Sequence, residues 1–302
     1  MIKANFFRRK SMPLFIKYIR KRENSGLVCN ILFGGHVLMK KLFIPKYIYK
    51  YTRFNEYWVD IFQNRRFYMP SPDELNDPFE GQLLPVGSGT AGNSINTAAG
   101  KFNRDMKRFL KNFRILSFSA NIRNKAMWAH YSDQYCGFAL QFNTRKTFSE
   151  VERVIYRPDY ETIGAVSIPS LKKYEEYDPI RQSLLIKSRD WENEEEFRII
   201  KEVAHERGKN FANQPMYYNF DLSDLEGIIL GANLDFEDKN NAEKYKCHLK
   251  NKRKLLDYAH QLKIPVYYSW TVPIKSKIEF YKEGNRPRFD GSSYVNYIEK
   301  NF

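Results

Sequence analysis

The sequence predicts an α+β protein: a mixed, largely antiparallel sheet core with flanking helices. Short runs rich in Tyr, Phe, Ile and Val alternate irregularly with helical stretches, which argues against the regular β–α repeat of a doubly wound parallel sheet. No internal repeat or heptad pattern runs through the 302 residues. Aromatic residues make up 16% of the chain, enough large side chains to fill a substantial core.

Ile48 to Thr52 alternates apolar and polar residues and reads as the first strand of the domain. Asn55 is placed to cap a helix carrying Trp58, Ile61 and Phe62 at helical spacing, with Arg65 and Arg66 at its C-terminal end. Phe67 to Met69 is a short strand broken by Pro70 and Pro72. The Asn, Asp, Pro and Gly content of Asp73 to Gly81 predicts an ordered turn, and the small, polar residues from Val86 to Gly100 predict a mobile loop. A basic helix over Phe102 to Asn112 leads into a strand at Arg114 to Ser119. A short helix around Lys125 to Ser132 follows, then strands at Gly137 to Phe142 and Val151 to Tyr156, and a helix over Pro179 to Ser188. Glu194 to Ile199 and Gly227 to Leu230 read as strands. A long helix from about Phe236 to Leu262 precedes terminal strands at Val266 to Val272 and Lys277 to Tyr281.

These elements place one domain over 47–285, with a basic and apolar N-terminal extension over 1–46 and a tail over 286–302. Leu27 to Met39 is apolar, but it is shorter than the roughly 20 residues a bilayer span needs and contains Gly34, Gly35 and His36. It could pass for a weak secretion signal, but no small-x-small cleavage site follows it; at this length stable membrane insertion is not expected. Met39, just before a basic segment and the first convincing strand, is a second candidate for the functional start. Cys29, Cys136 and Cys247 are scattered and odd in number, which fits neither a disulfide framework nor a zinc cluster and points to a reducing cytoplasm.

Fifty Lys and Arg against 35 Asp and Glu leave a formal charge of +15. Such an excess favours a polyanionic partner, nucleic acid above all, or an acidic membrane surface. The long helix concentrates it in Lys239, Lys244, Lys246, Lys250, Lys252, Arg253 and Lys254, either as a phosphate-facing stripe or as a solvated outer face.

The chemistry-bearing candidates centre on Glu194-Glu195-Glu196-Phe197-Arg198. In a strand, Glu194, Glu196 and Arg198 point one way and Phe197 and Ile199 the other. Paired carboxylates repel unless a cation, metal or substrate hydroxyl lies between them; the plainer reading is a solvated edge strand with an Arg–Glu pair. Ser117 and Ser119 share one face of their strand. His130, within Met127-Trp128-Ala129-His130-Tyr131, is a candidate base or a packed core residue. No P-loop, G-x-G-x-x-G, H-E-x-x-H or paired C-x-x-C is present. Asp73, Asp77 and Glu80 are candidate ligands for a hard cation, or caps of the turn around Pro78.

Tyr49-Lys50-Tyr51, Leu75 to Gly81, Ser117-Phe118-Ser119, Met127 to Tyr131, Gly137-Phe138, Trp191 with Glu194, Glu196 and Arg198, and Gly227 to Gly231 occur in an order that resembles the bacterial domain-of-unknown-function family 2971. Some relatives in that family occur in phage-defence and abortive-infection loci. The chain is also similar to the ADP-ribosyltransferase fold, in which a polar first strand, an S-x-S strand and an E-x-E strand line a cleft for NAD. That resemblance implies Glu196 and Glu194 as catalytic carboxylates, with Tyr49, Tyr51, Arg53, Ser117, Ser119, Trp128, Tyr131 and Arg198 around the dinucleotide. It departs from the pattern in having Arg53 at the end of the first strand and Phe118 between the serines.

Three functions follow as expectations. The first is an ADP-ribosyltransferase-like defence effector that cleaves NAD and modifies nucleic acid or another anionic macromolecule, with an antitoxin as a further partner. The second is a metal-dependent nuclease using Asp77, Glu80 and the Glu194/Glu196 pair. The third is a noncatalytic nucleic-acid-binding module.

Overall fold

The structure, a computed structural model, describes residues 19–23, 26–33, 36–41, 44–77, 104, 108–157, 181, 183–203, 215–234, 242–272 and 277–285. The expected loop over 86–100 and tail over 286–302 lie outside them. The chain divides into two units, one of residues 1–44 with 174–177 and one of the remainder. In the first, strands β1 (Ile19–Glu23), β2 (Gly26–Phe33) and β3 (His36–Lys41) form an antiparallel sheet in sequence order. Within the apolar Leu27–Met39 run, residues 27–33 and 36–39 thus lie on two paired strands, with Phe33 opposite His36. Among the described residues no helix is long and apolar enough to cross a membrane.

The second unit is a mixed α+β fold. Its strands are β4 (Tyr47–Thr52), β5 (Arg66–Met69), β6 (Phe113–Ser119), β7 (Phe138–Asn143), β8 (Glu152–Arg153), β9 (Ile155–Arg157), β10 (Ile186–Ser188), β11 (Glu196–Glu202), β12 (Met216–Asn219), β13 (Leu225–Leu230), β14 (Val266–Val272) and β15 (Lys277–Lys282). Eight of them form one sheet in the order β15-β14-β13-β7-β4-β6-β11-β8. Its pairings are antiparallel except β13 with β14. That parallel pair requires a crossover, and helix α3 (Ala242–Gln261) lies within it, burying His248, Leu255 and Ala259. Helices α1 (Trp58–Gln63) and α2 (Lys125–Tyr131) complete the set used below.

Alternation along the strands divides the core between the two faces of the sheet. Phe67, Phe118, Phe142, Phe148 and Phe220 pack with ring centroids 4.7 to 6.3 Å apart. Tyr49, Tyr51, Met127, Trp128, Ile229 and Phe280 form a separate cluster that includes the buried side of α2. Aromatic pairs of this kind contribute about 0.5–1.5 kcal/mol each beyond their burial.

Several elements depart from expectation. Residues 181 and 183 are helical, but Ile186–Ser188 is a strand in parallel register with Ile155–Arg157. Burial of Ile186 and Lys187 and the bond from Ile155 N to the Leu185 carbonyl (2.7 Å) hold it extended. Asn55 accepts from Tyr57 N in a turn ahead of α1, instead of capping the helix. Arg66 belongs to β5, where it faces Asn219 of β12, a strand the sequence pattern does not announce.

The α2–β7 connection sets where α2 sits. Asp133, Gln134 and Tyr135 all have positive φ (49°, 53° and 69°), a conformation costly for side-chain-bearing residues and sustained only by surrounding contacts. Gln134 N and Tyr135 N donate to the Ala129 and Trp128 carbonyls, and Gly137 N to Ser132. From α3, Lys244 Nζ and His248 Nε2 each lie 3.0 Å from the Asp133 carboxylate. A Cβ on Gly137 would overlap the Thr52 carbonyl oxygen, and one on Gly231 that of Tyr135, so glycine is required at both close approaches.

Candidate functional site

The central sheet comes apart between β4 and β6. Their pairing is limited to Tyr49 opposite Ser119, whereas β6 and β11 stay in register from Ser119–Glu196 to Phe113–Glu202. Tyr49, Ser119 and Glu196 therefore make one cross-strand row, and Ser117 lies opposite Arg198 on the same face. A cavity of about 220 Å³ opens there. Tyr49, Lys50 and Tyr51 of β4 and Ser117, Phe118 and Ser119 of β6 line it, with Met127 and Tyr131 of α2, Lys187, Glu194, Glu196 and Arg198. Glu74, Leu75 and Asn76, in and after the 3₁₀ turn Pro72–Glu74, complete the rim.

Glu194 and Glu196 do not lie on one strand. Glu194 ends a 3₁₀ turn over Arg189–Glu194, Glu195 is left-handed (φ 46°, ψ 49°), and β11 starts at Glu196. This reversal aims both carboxylates at the Lys187 ammonium, 2.6 Å from Glu194 Oε2 and 3.2 Å from Glu196 Oε2. Arg198 grips Glu196 with both branches of its fork, Nε to Oε1 at 2.7 Å and Nη2 to Oε2 at 2.8 Å, and donates through Nη1 to the Leu184 carbonyl. The four charged groups are 1–7% exposed, which rules out a solvated edge strand. Both faces of β11 are buried over 196–200, so Phe197 and Ile199 do not mark its only interior side.

Burial pushes the Glu196 carboxyl up, but Arg198 and Lys187, with hydrogen bonds from Arg198 and Ser117, outweigh it and hold the group at about 2. Glu196 is thus an anion throughout the neutral range. The Tyr131 hydroxyl donates to Glu194 Oε1 (2.6 Å) and accepts from Asn76 Nδ2 (3.1 Å), tying α2 to the rim. Burial and the nearby Glu194 charge raise the Tyr131 phenol well above its ordinary value. Burial brings the Tyr49 hydroxyl to about 12 and, against the attraction of Glu196, lowers Lys50 to about 8. Lys50 Nζ donates to the Ser117 carbonyl across the β4–β6 gap (2.9 Å).

Of the residues singled out in the sequence, Tyr49, Tyr51, Ser117, Ser119, Tyr131, Glu194, Glu196 and Arg198 meet at this cavity. Arg53, Trp128 and His130 do not line it. Arg53 is exposed beyond the end of β4, and His130 is exposed on α2. Trp128 is fully buried, donates through its indole N–H to the Ile122 carbonyl (2.7 Å) and packs edge-on against Tyr51 and flat against Tyr135. Its role is therefore in the core. Trp128→Ala is expected to cost about 3–5 kcal/mol in a urea titration; a loss under 1 kcal/mol would contradict that assignment.

The carboxylates proposed for a metal also separate. Asp73 is exposed and pairs with Lys111 at 3.4 Å, Asp77 is buried away from the cavity lining, and Glu80 lies outside the described residues. Among the described residues no three His, Cys, Asp or Glu side chains gather as metal ligands, and Lys187 occupies the space between Glu194 and Glu196.

Sequence reasoning missed Lys187 and Lys50. Lys50 was visible as the basic residue within the first strand, but β10 offered no pattern to single out Lys187. Along α3, Lys244 pairs with Asp133, while Lys252 and Lys254 lie over the Tyr268 and Trp58 rings. Lys246, Lys250 and Arg253 are exposed at helical spacing.

Fold and site together define an α+β protein whose parted central strands hold a buried carboxylate–cation pocket. Residues 127–199 match the model of a family described as protein of unknown function (DUF2971). That segment runs from α2 into β11 and contains Tyr131, Lys187, Glu194, Glu196 and Arg198. No curated protein and no solved structure matches the chain.

Proposed function

We propose that the pocket is the active site of an ADP-ribosyltransferase-like enzyme that cleaves the nicotinamide–ribose bond of NAD and transfers ADP-ribose to nucleic acid or another anionic macromolecule. Its role as an effector of bacterial defence, with an antitoxin as partner, is part of the same proposal and rests on the family resemblance. The Tyr49–Ser119–Glu196 row carries the enzymatic reading. It sets the polar first strand, the S-x-S strand and the second carboxylate of E-x-E side by side, in the order such a cleft uses.

In this reading the C1′–N bond breaks, its electron pair leaves with nicotinamide, and positive charge develops on the ribose. Glu196, ionised throughout the neutral range, favours that charge electrostatically. Glu194, oriented by Tyr131 and Lys187, takes the proton from the acceptor as its oxygen or nitrogen bonds to C1′. A volume of about 220 Å³ is below the roughly 300–1,000 Å³ of a pocket enclosing a drug-sized ligand. It suits the nicotinamide–ribose end, leaving the adenosine half outside. The formal charge of +15 and the exposed Lys246, Lys250 and Arg253 support an anionic acceptor.

The test is chromatographic detection of nicotinamide released from NAD by purified wild-type and Glu194→Gln protein, with and without RNA or DNA. Release that nucleic acid stimulates and that falls roughly 100-fold or more in the folded variant is the expected result. No release by wild type under any of these conditions would overturn the proposal.

A further inference from the structure

We propose that Lys50 anchors an oxyanion subsite in the β4–β6 gap, taking a phosphate-like group of the ligand. This rests on the cavity being a ligand site, as argued above, but not on glycosidic chemistry.

Glu196 is paired with Arg198 and Lys187, and Glu194 with Lys187, so two carboxylates and two cations compensate one another. Lys50 is a third cation in the wall and forms no ion pair among the described residues; its hydrogen bond goes to the neutral Ser117 carbonyl. An ammonium has three donors, and this bond uses one. The Phe118 ring, 5.9 Å from Nζ, offers no competing hydrogen-bond acceptor. Glu74, at the rim, is held by Ser71 N, Ser71 Oγ and the Tyr68 hydroxyl.

The position of Lys50 follows from the fold. Had β4 and β6 continued in register past Tyr49–Ser119, Lys50 would face Phe118 in an unbroken ladder. Because the pairing stops, the lysine reaches into the gap. Lys50 is half-buried and feels Glu196 only through space, with no salt bridge to it among the described residues; withdrawing an ammonium from water without a contacting anion is costly, and a phosphate-like group with its own negative charge supplies that contact through charge-assisted hydrogen bonds.

The pH behaviour supports the assignment. Lys50 sits at about 8. Around it, Glu196 lies at about 2, Glu74 is shifted downward, Tyr49 lies at about 12, and Tyr51 and Tyr131 are raised by burial. Glu194, Lys187 and Arg198 are the other charged groups of the lining. At about 8, Lys50 loses its proton between pH 7 and 9, where inorganic phosphate is predominantly dianionic.

The experiment is calorimetric titration of the full chain with inorganic phosphate and, separately, with ADP-ribose, at constant ionic strength set with chloride. Wild type, Lys50→Met, Lys50→Gln and the exposed-lysine control Lys250→Met are compared, each checked by circular dichroism. Binding is expected to fall roughly tenfold or more in both Lys50 variants and to be unchanged in the control. In wild type, affinity is expected to fall about tenfold between pH 7 and 9.5 as the ammonium deprotonates. Phosphate binding alone would identify a site for the free ion; tighter ADP-ribose binding that also needs Lys50 would identify the phosphate of a larger ligand. Binding that ignores both Lys50 variants and shows no such pH dependence, or no binding of either probe, would overturn the proposal whatever the nicotinamide assay gives. Lys50-dependent binding without nicotinamide release would retain the subsite and discard the transferase.

Discussion

Glu196→Gln is expected to destabilise the protein by about 3–5 kcal/mol at pH 7, because it removes the common counter-charge of two buried cations. Arg198 forks onto this carboxylate and Lys187 lies 3.2 Å from it, all within the interior. The amide keeps the shape and part of the hydrogen bonding but not the charge. The wild-type acid profile provides an independent check. Glu196 is depressed from 4.5 to about 2 on folding, so the unfolded chain binds the proton more readily. Its contribution, about 3 kcal/mol, is fully present above pH 4.5 and is lost as pH falls through about 2. Urea titrations of wild type and variant between pH 7 and 2 should therefore converge on acidification. A variant within 1 kcal/mol of wild type at pH 7 would contradict the ion-paired arrangement. The same cost makes Glu194→Gln the cleaner first test of turnover, since Glu194 accepts from Tyr131 and Lys187 but does not carry the Arg198 fork.

Lys187→Met should be equally severe at neutral pH, about 3–5 kcal/mol, but with the opposite response to acid. The ammonium bridges Glu194 and Glu196 and lies over the Trp191 ring at 4.7 Å. Without it, two carboxylates face one another in the interior and one is driven to retain its proton. A carboxyl whose folded pKa rises above its unfolded value contributes stability below the unfolded value and loses it as pH rises through the folded value. Part of the deficit in Lys187→Met should thus be recovered between pH 7 and about 5, while wild type gains nothing from this pair over the same interval. A deficit independent of pH across that window would show that Lys187 acts by packing alone.

Much of the site's frame was legible in the chain. Strand alternation identified β4, β6 and β11, and S-x-S and E-x-E marked two of them as carrying polar walls; these strands are neighbours with Tyr49, Ser119 and Glu196 in one row. The differences came from orientation and from the end of β4. Trp128 and His130 lie on the predicted helix, but the sequence did not say which side of α2 would meet the sheet; packing against Tyr51 and Tyr135 put Trp128 in the core and left His130 in solvent. Arg53, which the sequence places at the end of the first strand, lies exposed beyond the end of β4.

Glu194 and Lys187 illustrate the other limit. A strict period of two placed Glu194 beside Glu196 on a strand, whereas the left-handed Glu195 brings it from the end of a 3₁₀ turn. Lys187 reaches both carboxylates because β10 pairs with β9, about 30 residues earlier in the chain, an association that no local pattern encodes.

By itself, then, the sequence determined the α+β class, the polar strands and the chemical types available to the site, since side-chain alternation and residue chemistry are local properties. Only the tertiary structure decided that β4 and β6 part beside Tyr49–Ser119, that Lys187 joins two glutamates and that Lys50 enters the gap with no salt bridge among the described residues. Those outcomes depend on strand pairing and on the exclusion of water from interacting charges, which arise when distant segments are buried together.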